Sequence, residues 1–389
     1  MKTIVFFLFF NALSLISLAQ PICGADQTWK YLKKLRGKRV ACMVNPTSVL
    51  TYKQEKAIHL VDYLKSQKIN IQVIFAPEHG FRGEVEAGAT IKDGIDTKSG
   101  VKVISLYGNK KKPSKKDLDS VDVVVFDIQD VGVRFYTYLG SLHYLMEACS
   151  DYGKKLIILD RPNPNGHYVD GPVLDTSYKS FVGMHPVPVV HGCTVGEYAQ
   201  MMVGEKWVKT SKNFKFSVVQ VKNYNHQTRY PLPIPPSPNL LNETSIYLYP
   251  SLCFFEGTSL SLGRGTPTPF QMVGAPWFPD TSFSFIPNPI KGKAENPPFK
   301  NQKCFGRNYQ TESYKILREK QIRLQPLLEF YALKPDSISF FNSFFNQLAG
   351  SDQLRKQIEK GWSEKEIRAT WTPDLLKYLE KRKKYLLYS

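Results

Sequence analysis

Four ionisable side chains fall within seven positions of this sequence: Glu78, His79, Arg82 and Glu84, in the stretch PEHGFRGE. A carboxyl group among cations and hydroxyls can move a proton to or from a glycosidic oxygen, while a second group activates water or stabilises an oxocarbenium-like state. Three further polar clusters share that character: Asn45–Ser48; Asp127-Ile128-Gln129-Asp130, continuing through Arg134 and Tyr136; and Asp160-Arg161-Pro162-Asn163. The arginines suit a substrate that itself carries a carboxylate, through bidentate pairing. Glu78 is the first candidate for the catalytic group, and the competing reading is a structural ion pair with Arg82. For Asp127 and Asp160 the competing reading is the cap of a following helix. His79, His185 and His191 match no metal-binding spacing and read as satisfied loop histidines.

The elements that must position these residues follow from the apolar pattern. Lys38–Val44, Ile71–Ala76, Val101–Tyr107, Val121–Ile128 and Lys155–Leu159 read as strands. Gln54–Ser66, Lys115–Leu118 and the run Leu139 to Cys149 read as helices, after a basic amphipathic lead-in at Trp29–Arg36. Near-continuous apolar strands separated by helices imply a mostly parallel sheet covered on both faces, a Rossmann-like α/β fold. Each polar cluster follows a strand end, so all four should meet at the carboxyl edge of the sheet, where ligands bind in open α/β folds. Neither GxGxxG nor GxxxxGK is present, and no cofactor is expected.

Past about Gly166 the rhythm breaks. Thr194 and Glu197 spell a capping box, as do Ser363 and Glu366, and a basic amphipathic helix is expected over Pro373–Tyr388. Tyr230–Pro238 holds five prolines in nine residues and reads as an extended connector. The expected organisation is a leader over 1–19, a Rossmann-like domain over 20–230 with the catalytic loop, and a smaller α+β domain over 231–389 that closes a cleft.

The chain of 389 residues, 42% hydrophobic and 13% aromatic, is globular. A net charge of +18 suits anionic partners, but the lysines are scattered and no nucleic-acid-binding pattern accompanies them. Lys2, the apolar run Ile4–Leu18 and the ending Ser17-Leu18-Ala19 spell a signal peptide, so a secreted or periplasmic protein without stable membrane insertion is expected. Cys23 stands in a poor lipoprotein context. Six cysteines in an exported protein permit disulfides, although Cys42 and Cys149 fall where buried thiols are expected.

Several long motifs bring these readings together: PEHGFRGE (77–84), SLYG (105–108), DVVVFDIQDVGVRFYTY (122–138), LDRPNPNG (159–166), PSPN (236–239) and EGTSLSLGRGTPTPF (256–270). From about Val40 to Tyr388 the chain resembles the NamZ-like exo-β-N-acetylmuramidases, formerly a bacterial domain of unknown function. The resemblance implies release of terminal N-acetylmuramic acid from the non-reducing ends of peptidoglycan fragments, in a cleft between a Rossmann-like domain and a smaller one. By motif, it makes Glu78 the catalytic acid or base and Tyr107, Arg134 and Tyr136 site residues. Asn239, Glu256 and Arg264 would come from the second domain. The substrate's lactyl carboxylate would be held by Arg82, Arg134 or Arg264, and its 2-acetamido group admits substrate-assisted hydrolysis beside an inverting route. Leu240-Leu241 after PSPN and the segment Pro279–Gly306 depart from the pattern. A non-catalytic binding protein for cell-wall sugars is the alternative, and no GxSxG elbow supports an esterase.

Overall fold

The computed structural model describes residues 20–83 and 93–388. The expected leader and Glu84 lie outside the described residues. The first half carries strands β1 (Arg39–Val44), β2 (Val49–Leu50), β3 (Ile58–His59), β4 (Asn70–Ala76), β5 (Gly94–Ile95), β6 (Lys102–Ser105), β7 (Val123–Asp127), β8 (Lys155–Leu159) and β9 (Phe216–Val219). Between them run helices α1 (Thr28–Leu35), α2 (Leu60–Ser66), α3 (Lys115–Leu118), α4 (Tyr138–Asp151) and α5 (Val195–Gly204). Seven strands form one sheet in the order β5-β6-β4-β1-β7-β8-β9. Its pairings are parallel except for the short edge strand β5.

The strands are apolar throughout because both faces are covered. Ala41 and Met43 of β1, with Val124 and Phe126 of β7, pack into one apolar layer with α4 and α5. The alternate residues Val40, Cys42 and Val44, with Val123 and Val125, pack against Tyr31 and Leu35 of α1 and Leu60 and Leu64 of α2. Successive side chains of a strand point to opposite faces, so one continuous run serves two layers.

Two expected helices differ in extent. Only Leu60–Ser66 of the expected Gln54–Ser66 is helical, since residues 54–57 are exposed and have nothing to pack on. His59 is extended, and its Nδ1 accepts from the Val61 N–H to cap the helix. At the other end of the chain, α11 (Glu364–Lys383) is a single helix capped by Ser363 and Glu366, and it runs through Pro373. Pro373 and Ala369 are exposed, so the carbonyl that proline leaves without a partner can turn to water.

The second half adds α6 (Glu243–Leu252) and a small antiparallel sheet of β10 (Met272–Ala275), β11 (Ser284–Phe285) and β12 (Cys304–Asn308), ordered β10-β12-β11. Then come α7 (Ser313–Glu319), α8 (Gln325–Ala332), α9 (Phe345–Ala349) and α10 (Gln353–Glu359), before α11 returns to the first half. There Tyr378 donates to the His191 carbonyl at 2.7 Å, and Arg368 pairs with Asp170 through two bonds of 2.9 Å. One buried apolar cluster runs from Ala41 through Phe254 and Phe345 to Tyr378, so the two halves share a core. All six cysteines are free and buried. Burial pushes the thiols up, to about 11 at Cys23 and about 12 at Cys42, which keeps them protonated and inert.

A buried polar chain lies under α4. The His143 and His185 rings meet at 3.0 Å, His185 meets the Tyr198 hydroxyl at 3.1 Å, and it stacks on Trp207 with ring centroids 5.2 Å apart. Burial lowers His143 to about 4 and His185 to about 2, from an ordinary value near 6.5. Between those values and 6.5 the unfolded chain takes up protons that the native state refuses, so stability is present above 6.5 and drains away as pH falls. The drop in unfolding free energy between pH 7 and pH 5, read from urea midpoints, should be smaller in His185→Gln than in the natural chain.

Candidate active site

Glu78 is presented by a tight turn at the carboxyl end of β4. The Gly80 N–H donates to the Pro77 carbonyl at 3.0 Å, which places Glu78 and His79 at the two central positions. His79 has φ +69°, the left-handed value that a type II turn requires at its second central residue. A side chain other than glycine costs on the order of 1 kcal/mol there, a strain held by the surrounding structure. Strand register then selects the partner. Ala76 of β4 lies beside Ser105 of β6, so Glu78 and Tyr107, each two residues further on, emerge side by side. The Tyr107 hydroxyl donates to one Glu78 carboxyl oxygen at 2.8 Å. The Thr137 hydroxyl meets the other at 2.7 Å. Thr137 is the N-cap residue of α4, so the carboxyl group sits at the positive end of a 14-residue helix. Burial, with the Glu78 charge beside it, pushes the Tyr107 hydroxyl well up and keeps it a donor.

This carboxyl group opens on a cleft of about 670 Å³ lined from both halves. Tyr107, Tyr136, Thr137 and Tyr138 face it from the first half, and Asn239, Glu256, Arg264 and Phe270 from the second. Aromatic edges form much of the wall: Tyr136 meets Tyr138 at 4.9 Å and Tyr249 at 5.9 Å, and Tyr249 meets Phe270 at 5.2 Å, all near perpendicular. The Tyr136 hydroxyl donates to the Pro236 carbonyl at 2.7 Å, which ties the proline-rich connector to the cleft. Glu256 and Arg264 face each other through bonds of 2.6 and 3.1 Å, with the guanidinium 5.0 Å from the centre of Phe270. Aromatic walls interleaved with polar and charged groups, around a cavity of this volume, give a site of the size that takes a small molecule.

Comparison with known proteins places this geometry. The N-terminal profile of the exo-β-N-acetylmuramidase NamZ matches residues 40–244 and the C-terminal profile residues 247–388. The chain belongs to the NamZ family. It is 37% identical over 377 residues to the peptidoglycan β-N-acetylmuramidase NamZ of Bacillus subtilis strain 168, covering 92% of this chain and 89% of the relative. A crystal structure of a DUF1343 family protein from Bacteroides fragilis NCTC 9343 is 47% identical with a TM-score of 0.86, covering 95% of this chain and 99% of that one. A second from the same organism is 27% identical with a TM-score of 0.79 and the same coverage.

Within this NamZ-family cleft, the residues singled out in the sequence divide into two groups. Glu78, His79, Tyr107, Tyr136, Asn239, Glu256 and Arg264 line it. The others among the described residues do not, because the protein uses them. Arg161 and Asp127 pair with each other at 2.6 and 2.9 Å, both buried, and Arg161 also donates to the Val49 carbonyl. Burial works against the Arg161 charge, but Asp127 outweighs it and holds the guanidinium charged. Asn45 folds back on the Thr47 N–H at 2.9 Å. Asp130 accepts from the Gly132 N–H at 2.7 Å, and burial raises it to about 7. Asn163 donates to the Cys193 carbonyl and packs on Gly132, where φ is +77° and a Cβ would lie 2.1 Å from the Asn163 side chain. Asp160, read as a cap, accepts from the Gly196 N–H in the first turn of α5 at 2.8 Å and from the Thr194 and Tyr388 hydroxyls.

Two arginines are reassigned in the same way. Arg82 pairs with Asp96 through two bonds of 2.8 Å and with Asp62 at 3.1 Å; it borders a neighbouring cavity of about 380 Å³. Arg134 donates to four backbone carbonyls, Pro172 and Val187 at 2.7 and 2.8 Å and Leu348 and Ala349 at 2.9 Å each. Burial lowers it to about 9. Thr137 and Tyr138 were visible in the FYTY string but not distinguished from their neighbours, and Lys111, Phe181 and Lys293 carried no sequence signal.

Removing either internal arginine strands buried partners. Arg161→Met leaves Asp127 unpaired and should cost about 3–5 kcal/mol of stability. Arg134→Met leaves four carbonyls short of donors and should cost at least about 2 kcal/mol. Urea unfolding checks both, and the folded fraction of Arg161→Met should keep most of its specific activity, which a substrate-binding arginine would not.

Proposed function

We propose that this NamZ-family chain hydrolyses the glycosidic bond of a terminal β-linked N-acetylmuramic acid at the non-reducing end of peptidoglycan fragments, with Glu78 as the proton-transfer group. The supporting observation is the Glu78 carboxyl group, held by a hydroxyl on each oxygen and opening on a cleft built from both halves. Two fixed hydroxyls set the direction of the carboxyl plane. The Thr137 hydroxyl can donate or accept, so the arrangement serves the acid and the carboxylate alike. In the reaction the acid gives its proton to the leaving oxygen as the bond to the anomeric carbon breaks. Water supplies the hydroxyl to that carbon, and the proton it releases restores the site. The aromatic walls suit sugar faces, and the cleft on which the Glu78 carboxyl group opens is lined from both halves.

Glu78→Gln keeps the shape and removes the transferable proton. Its kcat on a chromogenic N-acetylmuramic acid glycoside should fall by roughly 10²–10⁴-fold, the usual worth of a general acid, with an unchanged melting temperature. Tyr107→Phe should lose less, since one of the two hydroxyl supports remains. Tight binding of muropeptides by the natural chain without any turnover would assign the cleft to a binding protein instead.

The reading extends to the compartment. Lys2, the apolar run Ile4–Leu18 and the small-residue ending at Ala19 support export, and among the described residues no helix is long and apolar enough to cross a membrane. Amino-terminal sequencing of protein recovered outside the cytoplasm should begin near Gln20, and an intact Met1 in that fraction would count against export by this signal.

A further inference from the structure

We infer that Lys111 is the specificity residue that reads the lactyl carboxylate of the terminal sugar, an inference that rests on the activity proposed above. The three arginines expected to hold that carboxylate have other work. Arg82 is committed to Asp96 and Asp62, Arg134 to four carbonyls, and Arg264 to Glu256. Among the described residues lining the cleft, the remaining cations are Lys111 and Lys293.

Lys111 is the middle of three consecutive lysines in the loop after β6. Its neighbours turn away from the cleft to meet acids: Lys110 pairs with Asp117 at 2.8 Å, and Lys112 with Glu147 and Asp151 at 3.1 and 2.8 Å. Among the described residues, Lys111 has no such carboxylate. Its ammonium sits 4.7 Å from the centre of the Phe181 ring, and that ring lies 6.2 Å from Tyr107, the donor to Glu78. The aromatic face holds the cation in place without neutralising it, since a ring quadrupole attracts charge but cannot cancel it. A half-buried, uncompensated ammonium one aromatic ring away from the Tyr107–Glu78 pair is what a carboxylate on the reacting sugar would meet. Lys293 is exposed, at the junction with the neighbouring cavity, where solvent weakens its pull.

The test compares three chromogenic glycosides: N-acetylmuramic acid, its lactyl methyl ester, and N-acetylglucosamine. The acid and the ester have nearly the same shape and differ by one charge. The natural chain should favour the acid, with kcat/KM about 10- to 100-fold above the ester, the range of a charge-assisted hydrogen bond. Lys111→Met keeps the aliphatic stem on Phe181 and should bring that ratio close to one, mainly by losing activity on the acid. Lys111→Arg should restore much of the preference, and Lys293→Met should leave most of it. An unchanged ratio in Lys111→Met, a collapse in Lys293→Met instead, or a natural chain that cleaves the ester as well as the acid would overturn the inference while leaving muramidase activity intact. Failure of the natural chain to cleave either muramic acid derivative would instead overturn the activity itself, before any variant is compared.

Discussion

A buried guanidinium that donates to four backbone carbonyls holds the two halves of this protein in register. Arg134 leaves the sheet side three residues before Thr137 and reaches the carbonyls that end α9 in the second half, along with two more from the loops around Pro172 and Val187. A helix end offers carbonyls without internal partners and a negative pole, so a cation there satisfies both needs. Burial charges a cost, visible in the lowered pKa of Arg134, and four hydrogen bonds from the two terminal nitrogens of its rigid plane offset it. The same short segment carries Tyr136, Thr137 and Tyr138 into the cleft. The joint between the halves and the wall of the site are therefore one piece of chain.

The remaining positioning comes from the sheet. Parallel strands bring their carboxyl ends to one edge, and pairing β4 with β6 in a fixed register sets Glu78 beside Tyr107. Thr137 arrives from beyond β7, across β1, and completes the grip from the opposite oxygen. No single strand could assemble these three groups. The left-handed His79 is the local strain that turns the chain sharply enough to keep Glu78 at the rim.

Polar residues at the edge of such a sheet face two demands, and the chain divides them. Some are spent inside the protein, on backbone groups or on each other: Asp127, Arg161, Asn45 and Asn163 are used in this way and are buried. Others must remain turned to solvent and substrate. A motif shows both kinds alike, because the residue types are the same. That is why DIQD and DRPN looked as chemical as PEHG in the sequence, and why Arg134 looked like a substrate clamp. What separated them was which partner each side chain meets and whether it faces the cleft, a property of the assembled layers.

The linear pattern alone determined the strand and helix alternation, the parallel sheet and the family likeness, and it put Glu78 forward as the candidate group at the sheet edge. These follow from the period of apolar residues, from Pro77 closing a strand, and from long motifs. Tertiary structure decided which charges cancel. Arg82 reaches Asp96 and Asp62, Arg264 reaches Glu256, and Lys110 and Lys112 find acids while Lys111 is left facing a ring. Ion pairing depends on distances of a few ångströms between residues far apart in the chain. Spacing along a sequence cannot encode those distances until the layers have packed.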